Sequence, residues 1–201
     1  MSETAWFNDN ILPTAMLNSG FKPLNQSDHF TALDKSLKMS KGKTLLDLGC
    51  GIAEVGSTFT EFDYTGADLP HIIENAARVK NPNLNYAYFN ANEDEYVFLN
   101  NYDIVLMNSF LSEIPDWFRV LSKVLMEAKD YVIIHRQEIT SDSNFLQEYR
   151  TYGNLITPKT VLNYSDLTML FERMGFKLLL EIDSFPYKNN QKTFLLQRHK
   201  E

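Results

Sequence analysis

The stretch Thr44-Leu45-Leu46-Asp47-Leu48-Gly49-Cys50-Gly51 decides the reading of the fold. A short apolar run that ends in Gly-x-Gly reads as a buried strand entering a tight turn. Two glycines there let backbone approach a ligand with no Cβ in the way. Helical spacing follows over residues 53–62, then Tyr64-Thr65-Gly66-Ala67 runs to Asp68, and Pro70 opens a helix carrying Ile72, Ile73, Ala76 and Ala77. Asp68 therefore stands at the end of the second strand, 21 residues after Asp47. A carboxylate at that place accepts hydrogen bonds from two ribose hydroxyls, which points to a cofactor containing adenosine. A nicotinamide fingerprint needs a third glycine at position 54, where the chain has Glu54. A carboxylate at a helix N-terminus repels a pyrophosphate and competes for the same amides, so the expected cofactor carries none.

Outward from this unit the alternation continues. Leu84-Asn85-Tyr86-Ala87-Tyr88-Phe89 and Tyr102-Asp103-Ile104-Val105-Leu106-Met107 read as the third and fourth strands, and Tyr131-Val132-Ile133-Ile134-His135 as the fifth. Between the last two, Phe118, Leu121, Val124, Leu125 and Ala128 share one helical face after Pro115. A helix with Leu167, Leu170, Phe171 and Met174 stops at Gly175, and runs 176–182 and 193–197 form a terminal hairpin joined by residues 183–192. Before the first strand, Ser27 caps an amphipathic helix with Phe30, Leu33 and Leu37, so residues 1–40 form a helical cap. The fold expected is α/β, a Rossmann-like doubly wound sheet, in one domain over residues 1–201. Ligands gather beyond the carboxyl ends of the strands.

At these residues the sequence resembles the class I S-adenosylmethionine-dependent methyltransferases. Leu45-Leu46-Asp47-Leu48-Gly49-Cys50-Gly51 is similar to that superfamily's first motif, Asp68 to its ribose-binding acid, and Phe89-Asn90-Ala91-Asn92 to its adenine-side loop. Tyr102-Asp103-Ile104-Val105 and Phe110-Leu111-Ser112-Glu113-Ile114-Pro115-Asp116 resemble its fourth-strand region. The resemblance implies a mostly parallel seven-stranded sheet with an antiparallel C-terminal hairpin strand. It also implies S-adenosylmethionine as cofactor and S-adenosylhomocysteine as product, held by Asp47, Gly49, Cys50, Gly51, Asp68, Leu69, Asn90, Ala91, Asn92 and Asn108. Two departures are Ala53 as the third small residue of the glycine motif and asparagines, Asn90 and Asn92, in the adenine loop. Asn108-Ser109-Phe110-Leu111 lacks both prolines of the amino-methylating signature, which removes support for methylation of nucleobase or Gln amines.

A sulfonium methyl is already activated, so such a site aligns a nucleophile and excludes water. A base is needed when the acceptor is a hydroxyl. His135, at the carboxyl end of the fifth strand, is the sequence's candidate catalytic base, and the competing reading is a structural histidine bonded to a loop. Glu113 reads as a charge at the N-terminus of the helix after Pro115, with a second base as the alternative. In the long connection 136–163, Phe145, Tyr149 and Tyr152 recur at helical spacing after Ser143. That predicts a short helix whose aromatic face either lines an acceptor pocket or packs as a lid. Arg136, Tyr149 and Tyr152 are the candidate acceptor-binding residues, and this connection with residues 1–40 is expected to act as a mobile cover.

Composition sets the outer limits. In 201 residues, 19 Lys+Arg face 26 Asp+Glu, a net charge of −7, and no Lys/Arg run exceeds two residues. That balance counts against nucleic acid as a partner and favours a small-molecule acceptor. The single cysteine, Cys50, allows no internal disulfide and no Cys-based zinc site, and His29, His71, His135 and His199 show no metal-ligand spacing, so no metal is expected. With no membrane span and no basic, apolar leader, a soluble cytoplasmic protein is expected. A non-catalytic binding module of the same fold and a protein methyltransferase are the rival readings.

Overall fold

The computed structural model describes residues 11–92, 95–152 and 155–199. The first parallel unit follows from its pattern. Strand β1 (Thr44–Leu48) is buried over Leu45–Leu48, pairing in parallel with β2 (Asp63–Asp68) on one side and β4 (Ile104–Asn108) on the other. Side chains alternate across a strand. Leu46 and Leu48 join Val105, Met107, Val132 and Ile134 against α6 (Trp117–Glu127) and α7 (Tyr164–Arg173). Leu45 joins Ile104, Leu106 and Ile133 on the other face, against Leu33 and Leu37 of α2 (Phe30–Ser40). Two apolar layers on one sheet are the physical content of the doubly wound arrangement.

The strand order is β3-β2-β1-β4-β5, with β3 at Asn85–Tyr88 and β5 at Tyr131–Thr140. The terminal hairpin β8 (Phe176–Phe185) and β9 (Lys188–Arg198) docks through β9, antiparallel to β5. These seven strands are the expected sheet. A further hairpin, β6 (Phe145–Thr151) and β7 (Leu155–Asn163), extends it to nine, with β7 parallel to the far end of β5 at Ile139↔Leu162 and Thr140↔Asn163.

Four expectations need correction. The short helix carrying Phe145, Tyr149 and Tyr152 is instead strand β6 and the turn after it, because β7 supplies a hydrogen-bonding partner that local spacing does not reveal. The fifth strand runs on to Thr140, taking Arg136 out of the connection. The terminal turn shrinks from residues 183–192 to Pro186-Tyr187, since the polar ends of β8 and β9 pair beyond the sheet, with Lys192 Nζ 2.7 Å from Asp183 Oδ1. The helix expected over 53–62 is also shorter, α3 at Glu54–Thr58.

At the N-terminal end, α1 (Leu12–Leu17) buries Leu12 and Met16 against Ile72 and Ala76. Those residues lie in a helical run made of α4 (Pro70–Ile72), a π-helical turn (Ile73–Ala77) and α5 (Arg78–Lys80). His29, not Ser27, is the N-cap of α2, and the Ser27 hydroxyl donates to the Leu24 carbonyl at 2.7 Å. Among the described residues no helix is long and apolar enough to cross a membrane.

Candidate functional site

The carboxyl ends of β1, β2 and β4, with Arg136 from the middle of β5, open into one cavity of about 790 Å³. At the end of β1 the chain turns back on itself, Gly49 N–H and Cys50 N–H both donating to the Ala67 carbonyl at 2.8 and 3.2 Å. Gly49 (φ +71°) and Gly51 (φ +54°) supply the left-handed backbone this turn needs. A Cβ on Gly49 would lie 2.4 Å from the Phe110 ring, whereas one on Gly51 would meet nothing within 4 Å. The turn is thus packed on one side and open on the other.

Asp68 ties the turn together. Its Oδ2 accepts from Gly51 N–H at 2.9 Å and its Oδ1 from Leu69 N–H at 2.8 Å. Burial pushes its pKa up to about 6, against the lowering effect of those two amides and of His71. A carboxylate has about four lone-pair sites, so acceptor capacity remains toward the cavity. Gly49, Cys50, Gly51, Asp68 and Leu69 all lie on the cavity wall, as do Asn90, Ala91, Asn92 and Asn108. The Asn90 side chain accepts from Asn92 N–H at 3.0 Å, closing a small turn. Arg119 Nη2 steadies that turn, donating to the Ala91 carbonyl at 3.3 Å and to Asn92 Oδ1 at 3.4 Å.

Asp47 is not on this wall. Strand alternation turns it to the face of Leu45, where it is 1% exposed and its Oδ2 accepts from the Tyr64 hydroxyl at 3.0 Å. Tyr64 pairs with Leu45 and reaches Asp47 by crossing Gly66, where an added Cβ would come within 3.0 Å of the Tyr64 hydroxyl oxygen and closer still to Cys50 Sγ. Asp47 Oδ1 has no hydrogen-bond partner among the described residues, and burial pushes the carboxyl up to about 7. Its place is under the turn. Cys50 is a buried thiol held far from ionisation, chiefly by burial and also by Asp68 and Asp47.

The fifth strand carries a left-handed residue at Arg136 (φ +61°), where its pairing with β9 shifts register between Ile134 and Gln137. Such a bulge re-aims a side chain. Arg136 N–H donates to Ser184 Oγ at 3.2 Å, and its Nε reaches across the cavity wall to Asn108 Oδ1 at 3.0 Å. Arg136, Tyr149 and Tyr152, the three expected acceptor residues, line the same cavity. Lys159 Nζ sits 4.7 Å from the centre of the Tyr149 ring, and Tyr152 packs at 5.8 Å against Phe21 from the N-terminal segment.

His135 lies behind the wall. It is 1% exposed, with Nδ1 2.7 Å from Thr193 Oγ1 and Nε2 3.0 Å from His29 Nδ1. Burial, with Arg136 and His29 nearby, pulls its pKa well down, so the imidazole stays neutral. His29 does line the cavity, and burial beside Arg136 lowers it to about 3. Sequence reasoning had no access to this residue, since its contact with His135 spans 106 positions.

Glu113 is the second addition. It ends a 3₁₀ turn (Leu111–Glu113) well short of α6 and lines the cavity, so its expected part as a helix N-terminal charge does not hold. The turn is fixed on both sides. Glu113 N–H donates to the Phe110 carbonyl at 3.0 Å, and Thr160 of β7 donates to the Ile114 carbonyl at 3.0 Å. Its buried Oε2 has no hydrogen-bond partner among the described residues. Burial raises its pKa to about 7 against the pull of Thr157, Lys159 and Arg136. Among the described residues no group of three His, Cys, Asp or Glu is placed to hold a metal.

No family model matches the sequence, and no curated protein does. Solved structures match it across most of its length. CalS10, an amino pentose methyltransferase from Micromonospora echinaspora with S-adenosylmethionine bound, superposes with a TM-score of 0.65 at 12% identity over 87% of this chain and 92% of that one. DesVI from Streptomyces venezuelae gives 0.68 at 11% identity over 92% and 98%. The N-terminal domain of EvdMO1, with S-adenosylhomocysteine and D-fucose, gives 0.59 at 12% over 88% and 84%. The glycine turn, the strand order and these superpositions agree that the chain has the fold of the class I S-adenosylmethionine-dependent methyltransferases.

Proposed function

We propose that this protein transfers a methyl group from S-adenosylmethionine to an oxygen of a small molecule, a sugar or another hydroxyl compound. The observation that carries this reading is that two kinds of group line one cavity. Gly51, Asp68 and residues 90–92 offer an open glycine backbone and a carboxylate with spare acceptor sites, which suits a ribose and an adenine edge. His29, Glu113, Arg136 and Tyr152 add groups that hydrogen-bond hydroxyls. When bound, the sulfonium cofactor supplies an activated methyl group. Neighbours of this fold include a protein named an amino pentose methyltransferase and one held with D-fucose, in keeping with a small sugar-like acceptor.

In this reading the base is Glu113, not His135. A carboxylate with a pKa near 7 is matched to taking a proton at neutral pH, and Glu113 lines the cavity. Gly51, Asp68 and residues 90–92 would hold the cofactor, which would supply the methyl group to the acceptor oxygen and leave as S-adenosylhomocysteine, while Glu113 would take the hydroxyl proton. Arg136 and the neutral His29 orient the acceptor, and the segment from Met16 to His29 excludes water from above. Titration calorimetry with S-adenosylhomocysteine, paired with a tritiated-methyl screen of small-molecule, protein and RNA pools, tests the reading. Binding with label in small molecules is expected. Absence of binding to either form of the cofactor ends the proposal, label confined to protein or RNA refutes the acceptor class, and binding without transfer favours a non-catalytic module.

A further inference from the structure

Three strands leave a side of the sheet open among the described residues, and two of them are blunted. Strand β3 has four residues, and β8 is interrupted by register shifts at Leu178/Leu180 and Asp183/Phe185. Bulges and short edges are how proteins keep sheet edges from pairing. Strand β6 has neither device. It pairs with β7 through seven unbroken positions on one side, and its other side is open among the described residues. Its side chains from Phe145 to Arg150 are all exposed, with Phe145, Leu146 and Tyr149 at 46, 49 and 49%.

We propose that β6 is the seam of a symmetric dimer, pairing antiparallel with β6 of a second copy in a register centred on Tyr149. The charges select both the partner and the register. Glu148 and Arg150 flank Tyr149 and project to the same face of the strand. Neither makes an ion pair or a side-chain hydrogen bond among the described residues. With Tyr149 opposite Tyr149 of the second copy, each Glu148 lies opposite an Arg150, giving two cross-strand ion pairs. Centring the pair on Glu148 or on Arg150 sets like charges face to face, which is unfavourable. Open backbone amides and carbonyls along β6 supply the ladder, and the exposed aromatic and aliphatic side chains supply apolar contact. Tyr149 and Thr151 also line the cavity, so the seam runs beside its mouth. The dimer does not depend on the methyltransferase reading.

Sedimentation velocity of the full chain over a micromolar concentration series is the test, read against the 23.3 kDa chain mass. The wild type is expected to approach twice that mass as concentration rises. Glu148→Arg and Arg150→Glu each set like charges opposite one another, so each variant is expected to sediment as monomer with an unchanged melting curve. Mixed in equal amounts, the two restore the dimer, because every altered position then faces its opposite. A wild type that stays at one chain mass throughout overturns the proposal. So does a dimer that survives both single reversals, or a mixture that remains monomeric.

Discussion

Replacing Asp68 by Ala and by Asn probes the donor end of the cavity most directly. Its carboxylate already accepts from Gly51 and Leu69 amides, and the acceptor sites left over are the ones assigned to ribose. A hydrogen bond to a charged group contributes about 1.5–3 kcal/mol, so losing one weakens S-adenosylhomocysteine binding by about 10- to 150-fold in the Ala variant. The acid form cannot serve as well, which adds a pH signature. With its pKa raised to about 6, Asp68 is mostly ionised at pH 7.5 and about one-tenth ionised at pH 5. Wild-type affinity is therefore expected to fall about tenfold on going from pH 7.5 to pH 5, and Asp68→Asn to flatten that dependence. Titration calorimetry at both pH values reads the two effects together. Equal affinity for wild type and the Ala variant, or a wild-type affinity independent of pH, refutes the ribose assignment.

Glu113→Gln is expected to lower kcat by about 100-fold or more with little change in cofactor affinity, and to remove an acidic limb of the kcat/KM profile near pH 7, since the base must be ionised to accept a proton. Rates measured from pH 5.5 to 9 check it, and a retained limb assigns the titration to another group. Gly49→Ala combines a left-handed backbone with a Cβ only 2.4 Å from Phe110, so urea titration is expected to give a loss of about 2 kcal/mol or more. Asp47 is raised in the native state to about 7 from 3.8, so its proton is held on folding and the native state loses stability as pH rises between these values. Between pH 5 and pH 8 wild type should lose about 2–3 kcal/mol relative to Asp47→Asn, read by urea unfolding at both pH values.

The parts of the fold that were legible in sequence are those whose burial is dictated along the chain. Leu45, Leu46 and Leu48, then Val105 and Met107, then Val132 and Ile134, are apolar because helices cover both faces, and their runs mark β1, β4 and β5 directly. Asp68 and the glycine turn were legible for the same reason, being adjacent to such runs. Strand β6 was not, because exposed residues on both faces leave no apolar period and Phe145 and Tyr149 fit helical spacing equally well. Its identity comes from β7, beyond the turn. Asp47 was misplaced for a subtler reason: the alternation that buries Leu46 and Leu48 on one face sends Asp47 to the other, under the turn. His29 and His135 meet only after α2 packs on the sheet, a contact with no local signature.

The bulge at Arg136 divides the fifth strand into two stretches with separate duties. Up to Ile134 it belongs to the central layers; from Gln137 onward it still pairs with β9 and also meets β7, at Ile139↔Leu162 and Thr140↔Asn163. The wall formed by β6 and β7 joins the sheet through this short pairing and through Thr160, which bonds Gln137 and the Ile114 carbonyl, while the turn that grips Asp68 is rooted two strands away, in β1. The β6–β7 wall and the glycine turn thus occupy different pieces of chain. Exchanging residues 145–156 for a hairpin of different length or polarity would alter the wall beside Tyr149 and Tyr152 while leaving Leu162 in the core and the turn at Asp68 in place.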